Sequence, residues 1–156
     1  ALATVRGVPN EPGMAAKGFT LLAEAGVNVD MIVQASASTG TADISFTVPG
    51  SAAAKVRDVL QEKQDELGYQ SFDIDANVGK VALVGVGMKT HSGLAAKFFN
   101  ALSDEGVNVL MISTSEIRIA ALVPLEQLQD AVRALHTAYG LDAEQVEAVV
   151  YGGTGR

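Results

Sequence analysis

Residues 12–32 and 92–112 of this 156-residue chain are two versions of one segment, PGMAAKGFTLLAEAGVNVDMI and SGLAAKFFNALSDEGVNVLMI. Gly13, Ala15, Ala16, Lys17, Phe19 and Leu22 recur, eighty positions on, as Gly93, Ala95, Ala96, Lys97, Phe99 and Leu102. The run GVNV at 26–29, with Met31 and Ile32, recurs at 106–109 with Met111 and Ile112. A repeat fixes the unit that folds, and this one is too long for a solenoid and right for a small domain. The chain therefore reads as two domains of roughly 75 residues, residues 1–76 and 77–156. Cores that small are thin, so the pair is expected to pack together or to dimerise.

The elements follow from apolar spacing. A β-branched run at 4–8, stopped by Pro9 and Pro12, predicts a strand. Asn10 is a candidate helix cap, and Met14, Ala15, Phe19, Leu22 and Ala23 mark one helical face, which Gly26 ends. Residues 27–33 predict a second strand and 36–41 a loop. Ile44, Phe46 and Val48 alternate with Asp43, Ser45 and Thr47, which predicts a third strand with one buried face. Ser51 is a candidate cap for a helix over 53–67, which Gly68 closes, and 69–74 supply a fourth strand. The second half repeats the order, with strands at 80–86, 107–112, 117–123 and 146–151 and helices at 93–105 and 125–139. Residues 152–156 read as a polar tail. The order β-α-β-β-α-β is the ferredoxin-like split βαβ arrangement. The fold class is α+β: two such domains in tandem, each an antiparallel sheet with both helices on one face. Exchange of strands between the halves is also compatible with the pattern.

Composition narrows the function. A net charge of −7 argues against a protein that tracks nucleic-acid phosphates. Without cysteine there is no disulfide, thiolate nucleophile or zinc-thiolate site. No apolar run is long enough to span a membrane and the first residues lack a signal-peptide profile, so a cytoplasmic protein is expected. Catalytic constellations are equally hard to find. His136 falls inside the last helix and reads as structural or solvated. Ser113 and Ser115 lie between two strands with no histidine nearby, which favours a turn over a nucleophile. The stretch GVG at 85–87 lacks the third glycine of a dinucleotide loop. No metal site is legible either.

What does recur is a strand-loop-helix junction whose loop ends in Gly13 or Gly93, followed by alanines. Free N–H groups at a helix start favour an anion such as a carboxylate, and glycine and alanine let it approach closely. Asn28 and Asn108 follow the helix-ending glycines and offer a carboxamide. Together these groups suit a free α-amino acid. The same residues are equally explained as helix caps, turn residues and core alanines.

Longer motifs break that tie. VPNEPGMAAK at 8–17, GVNVDMIVQ at 26–34, TADISFT at 41–47, VGKVALVGVGM at 78–88, ISTSEIRI at 112–119 and AVVYGGTGR at 148–156 resemble aspartate kinase. The resemblance is to that family's regulatory part, with its tandem ACT domains, and covers nearly the whole chain. It implies a separate regulatory β subunit or the C-terminal part of a full-length kinase. ATP, Mg and aspartate would then bind an absent kinase domain, so no cofactor and no catalytic residue is expected in this chain. It further implies a homodimer through the ACT domains, association with a catalytic α subunit or kinase domain, and feedback inhibition by threonine, with lysine in many relatives. Carried over by position, a threonine-like site would use Asn10, Gly13, Met14, Ala15 and Gln34 with Asn108 and Val109. A lysine-like site would use His91, Ser92, Gly93, Leu94 and Ala95 with Asn28, Val29, Asp30 and Ser115. Asp30, whose counterpart is Leu110, gives the second site a carboxylate for an ammonium group. A dimerisation module without effectors and a stand-alone enzyme on the same fold are the competing readings.

Overall fold

The computed structural model describes residues 1–84, 92–115, 118–139 and 146–150. The chain divides into two compact units, Ala1–Ala76 and Asn77–Val150. The N-terminal unit runs β1 (Leu2–Pro9), α1 (Met14–Glu24), β2 (Ile32–Ser36), β3 (Thr41–Thr47), α2 (Ala53–Glu62), α3 (Gln64–Leu67) and β4 (Ser71–Asp75). The C-terminal unit runs β5 (Val78–Val84), α4 (Ser92–Asp104), β6 (Met111–Thr114), β7 (Arg118–Pro124), α5 (Leu128–Tyr139) and β8 (Val146–Val150). Their sheets are antiparallel with orders β2-β3-β1-β4 and β6-β7-β5-β8. Each sheet is thus built from the strands of its own half, in the ferredoxin-like order.

Gly26 ends the first helix as its position predicts. With φ at 81° it adopts the left-handed conformation that a side chain would resist. Its N–H bonds the Ala23 carbonyl at 2.9 Å, and the Val27 N–H reaches back to Leu22 at 3.0 Å. This is the double bond pattern of a Schellman cap, closed by the buried pair Leu22 and Val27. Gly106, with φ at 71°, repeats the pattern: its N–H bonds the Ser103 carbonyl and the Val107 N–H the Leu102 carbonyl.

Several expected boundaries move. The second strand begins at Ile32 rather than at 27, because Asp30 and Met31 both address one residue opposite. The Asp30 N–H donates to the Thr47 carbonyl and the Met31 N–H to the Thr47 hydroxyl, each at 2.9 Å. Two residues facing one interrupt the ladder as a bulge does. Thr47 is consequently fully buried, although alternation along β3 points it outward. In the C-terminal unit the strand likewise starts late, at Met111, after the Leu110 N–H has bonded Leu122 at 2.7 Å. Ser113 is therefore inside β6, paired with Ala120, and not in a turn. Neither Asn10 nor Ser51 caps a helix: Gly13 is the uncapped start of α1, and Ser51 lies inside a 3-10 turn, Gly50–Ala52. The long second helix is kinked at Lys63 (φ −105°, ψ 18°), while hydrogen bonds from Lys63 to Val59 and from Leu67 to Lys63 run through the kink. Part of the expected strand at 80–86 and residues 151–156 lie outside the described residues.

Each core lies between the sheet and its helices. In the N-terminal unit Ala3, Val5, Ile44 and Phe46 meet Leu22, Val56 and Leu60. In the C-terminal unit Val81, Leu83, Ile119 and Ala121 meet Phe98, Leu102 and Leu135. The two cores place their bulk differently. Gly18 of α1 corresponds to Phe98 of α4, and Phe46 of β3, three residues before Pro49, corresponds to Ala121, three before Pro124. At this pair of positions one unit carries its ring on the strand and the other on the helix.

Two measurements check this packing. Thr47→Val keeps the shape but leaves the buried Met31 N–H unpaired, so it should cost about 1–3 kcal/mol, read as a lower urea midpoint. Burial also raises the Tyr69 phenol above its ordinary 10.0, and its O–H donates to the Leu60 carbonyl. The folded state therefore holds this proton more tightly than the unfolded state. Its contribution should be level below pH 10 and fall as pH rises towards the folded pKa. Tyr69→Phe should flatten that alkaline fall in melting temperature.

Candidate functional site

The site in the N-terminal unit begins with a distortion of β1. Between Val5, which pairs with Ile44, and Val8, which pairs with Ala42, two residues face one. Gly7 occupies this bulge with φ at 72°, and its N–H donates to an Asp43 carboxylate oxygen at 3.1 Å. A bulge bends its strand and re-aims the chain beyond it. Here Val8 and Pro9 resume the pairing with β3, and residues 10–13 lead from the strand into α1, with the Asn10 N–H donating to the Gly40 carbonyl at 3.0 Å. The Asn10 carboxamide donates to the Ser36 hydroxyl at 3.2 Å, which ties the loop to the β2–β3 hairpin.

Loop, helix start and sheet enclose an open pocket of about 390 Å³. Val8, Ala42 and Ile44 give it apolar surface; Asn10, Glu11 and Gln34 give it polar groups. Gly13, Met14, Ala15 and Ala16 line it from the first turn of α1. No side chain caps that helix, so the amides of Ala15 and Ala16 at its start keep their donors and the positive end of the helix dipole beside the pocket. The Met14 N–H is turned back on the Glu11 carbonyl at 3.3 Å. An apolar floor, uncapped amides and one carboxylate are complementary to a small zwitterion.

Five residues expected in one site, Asn10, Gly13, Met14, Ala15 and Gln34, are thus brought together. Their expected companions Asn108 and Val109 belong to the C-terminal unit, in the segment after α4, with Asn108 exposed and Val109 half-buried. Of the second set, Asn28, Val29 and Asp30 occupy the same segment of the N-terminal unit, with Asn28 and Asp30 exposed. Ser92, Gly93, Leu94 and Ala95 form the first turn of α4, and Ser115 follows β6 with its N–H bonded to Arg118 at 2.8 Å. His91 lies outside the described residues, as does the stretch GVG at 85–87. His136 is half-buried in α5.

Two contributors were not legible in the sequence. Glu11 reaches the pocket because the bulge turns the loop over it. Gln127, at the end of a 3-10 turn, accepts from the Asn108 N–H at 2.9 Å and donates to the Gly106 carbonyl at 3.0 Å. It therefore clamps the exposed segment around Asn108. Its counterpart at the end of the other 3-10 turn is Ala52, which has no such group. Neither contact shows as a spacing in the chain. A further depression, about 420 Å³, lies between α4 and α5 beside Asp104, Glu105 and Arg133 and contains none of the expected residues. Among the described residues no group of histidine, aspartate and glutamate is arranged to hold a metal ion, and no helix is long and apolar enough to cross a membrane.

Residues 4–64 and 81–139 each match the ACT domain family model. The chain is 47% identical over 155 residues to an aspartokinase of Corynebacterium glutamicum and 43% identical to one of Mycobacterium tuberculosis. Both alignments cover 98% of this chain but only 37% of the relative, so it spans little more than a third of those proteins. Among solved structures, one of aspartokinase alpha and beta subunits superposes with a TM-score of 0.83 at 44% identity, covering 90% of this chain and 92% of that one. The ligand-free regulatory subunit of aspartate kinase from Thermus thermophilus gives 0.82 at 36% identity, covering 88% and 91%.

The clamp is open to direct test. Gln127→Ala should accelerate amide hydrogen exchange at Asn108 while leaving Asn28, which has no clamp to lose, unchanged. Equal exchange at Asn108 in both proteins would show that the two bonds do not hold the segment.

Proposed function

Because the chain belongs to the ACT domain family, as the regulatory part of an aspartokinase, we propose that it senses free amino acids and transmits their binding to a kinase domain. The observation that carries this reading is the gathering of Asn10, Gly13, Met14, Ala15 and Gln34 around one pocket. There the uncapped amides of α1 take the α-carboxylate, Glu11 takes the α-ammonium, and Asn10 or Gln34 bonds a side-chain hydroxyl. We assign threonine to this pocket, with Asn108 and Val109 from the ACT domain of a second chain completing it. Lysine is assigned to the site of the C-terminal loop, with the Asp30 carboxylate on its ammonium.

The regulated reaction is the phosphorylation of aspartate by ATP, carried out with Mg in a kinase domain that lies elsewhere in the enzyme. Inhibition requires the effectors to bind the active and inactive arrangements with different affinity. Homodimerisation supplies such an element. β2 and β6 are edge strands, and Ile32 (52% exposed), Ile112 (48%) and Leu110 (44%) present apolar surface there. Exposed apolar edge strands associate readily. That same surface supports a second reading, a dimerisation module with no effector of its own.

Calorimetric titration separates the two. The sensor should release heat with threonine, and lysine affinity should change when threonine is saturating, by the same factor in the reverse order of addition. Silence with both amino acids would favour the dimerisation module. Asp30→Leu should abolish lysine binding and leave threonine binding intact; equal loss of both in a folded variant would overturn the lysine assignment.

A further inference from the structure

Behind the N-terminal pocket lies a narrow recess of about 30 Å³, lined only by apolar residues and sharing Val8, Met14, Ala15 and Ile44 with the pocket itself. Gly18 forms part of its wall. Nothing in the fold requires glycine there. Gly18 sits inside α1 without a positive φ, and a Cβ added to it would meet only the Leu67 Cδ2, at 3.8 Å, an ordinary contact. Alanine would fit, and both a mid-helix glycine and an unfilled apolar space lower stability. The C-terminal core shows the alternative, since there Phe98 and Ala121 stand where this unit has Gly18 and Phe46, and both are fully buried. The exchange of bulk between helix and strand is one methyl group short in the N-terminal unit, and the shortfall falls beside the pocket.

We infer that Gly18 sets the side-chain size this pocket accepts, by keeping open a recess into which Met14 withdraws when the apolar end of a ligand presses on it. Met14 lines both spaces and is half-buried. Its unbranched thioether changes rotamer at little cost, as a yielding wall must. The class of ligand selected is a free amino acid with a short side chain ending in a methyl group. A short side chain asks only a small displacement of Met14, which a small recess can take up. This inference rests on the effector reading above and adds the determinant of its selectivity.

The test compares the whole chain with Gly18→Ala by thermal unfolding and by calorimetric titration with threonine and with serine, which lacks the methyl group. Gly18→Ala should melt higher, because the helix gains a better former and the recess is filled. Its threonine affinity should nevertheless fall about tenfold while serine stays within about twofold. Met14→Leu, which stiffens the wall and leaves the recess empty, should shift the threonine-to-serine ratio in the same direction. Unchanged threonine affinity in Gly18→Ala, or an equal loss of both ligands, overturns the inference and leaves the effector reading standing. No binding of threonine by the unaltered chain overturns both.

Discussion

The direction in which the chain leaves its first helix governs each unit. A left-handed glycine turns the backbone, and the next residue drops into the core while the one after it stays outside. Val27 and Val107 are buried; Asn28 and Asn108 are exposed. Without that turn the segment after the helix could not reach the edge of the sheet beside β3 or β7. The run GVNV recurs in identical form because the same backbone problem is solved twice.

The two halves diverge in how they hold the segment beyond that turn. The N-terminal unit uses the Thr47 hydroxyl, which bonds the Met31 amide from inside the core. Its counterpart at Leu122 has no hydroxyl, and the C-terminal unit relies on Gln127, which bonds the Asn108 amide from outside. One clamp is inseparable from packing and the other sits near the surface. The exposed carboxamides of Asn28 and Asn108 are thus presented by backbones restrained in different ways, and two sites built from one repeat need not bind alike.

Fold and architecture were legible because they follow from periodicity. Ile44, Phe46 and Val48 alternate as a half-buried strand must, and the glycine caps punctuate the helices. What escaped were places where a side chain replaced a backbone partner. Alternation put Thr47 outside, yet a hydroxyl can be buried when an amide needs it. The second strand read as starting at 27 because Val27 and Val29 alternate, although the ladder is interrupted until Ile32. The gathering of the pocket residues came from motif resemblance, not from spacing. Glu11 was missed because a bulge at Gly7, invisible in composition, turns the loop that carries it. Gln127 was missed because its two contacts cross nineteen and twenty-one residues of sequence.

The exchange of bulk between the cores bears on how a chain containing two such similar halves finds the right partner strands. Tandem domains of related sequence risk pairing an element of one with an element of the other during folding. A hybrid with α1 laid on β7 would set Gly18 against Ala121 and leave a hole. The reverse hybrid, α4 laid on β3, would add the ring of Phe98 to a core that already holds those of Phe19 and Phe46. Each mismatch is costly, by lost contact in the first and by crowding in the second. At these two positions per half, volume alone sets each native pairing of helix and sheet apart from its hybrids, against the kinship of the repeats.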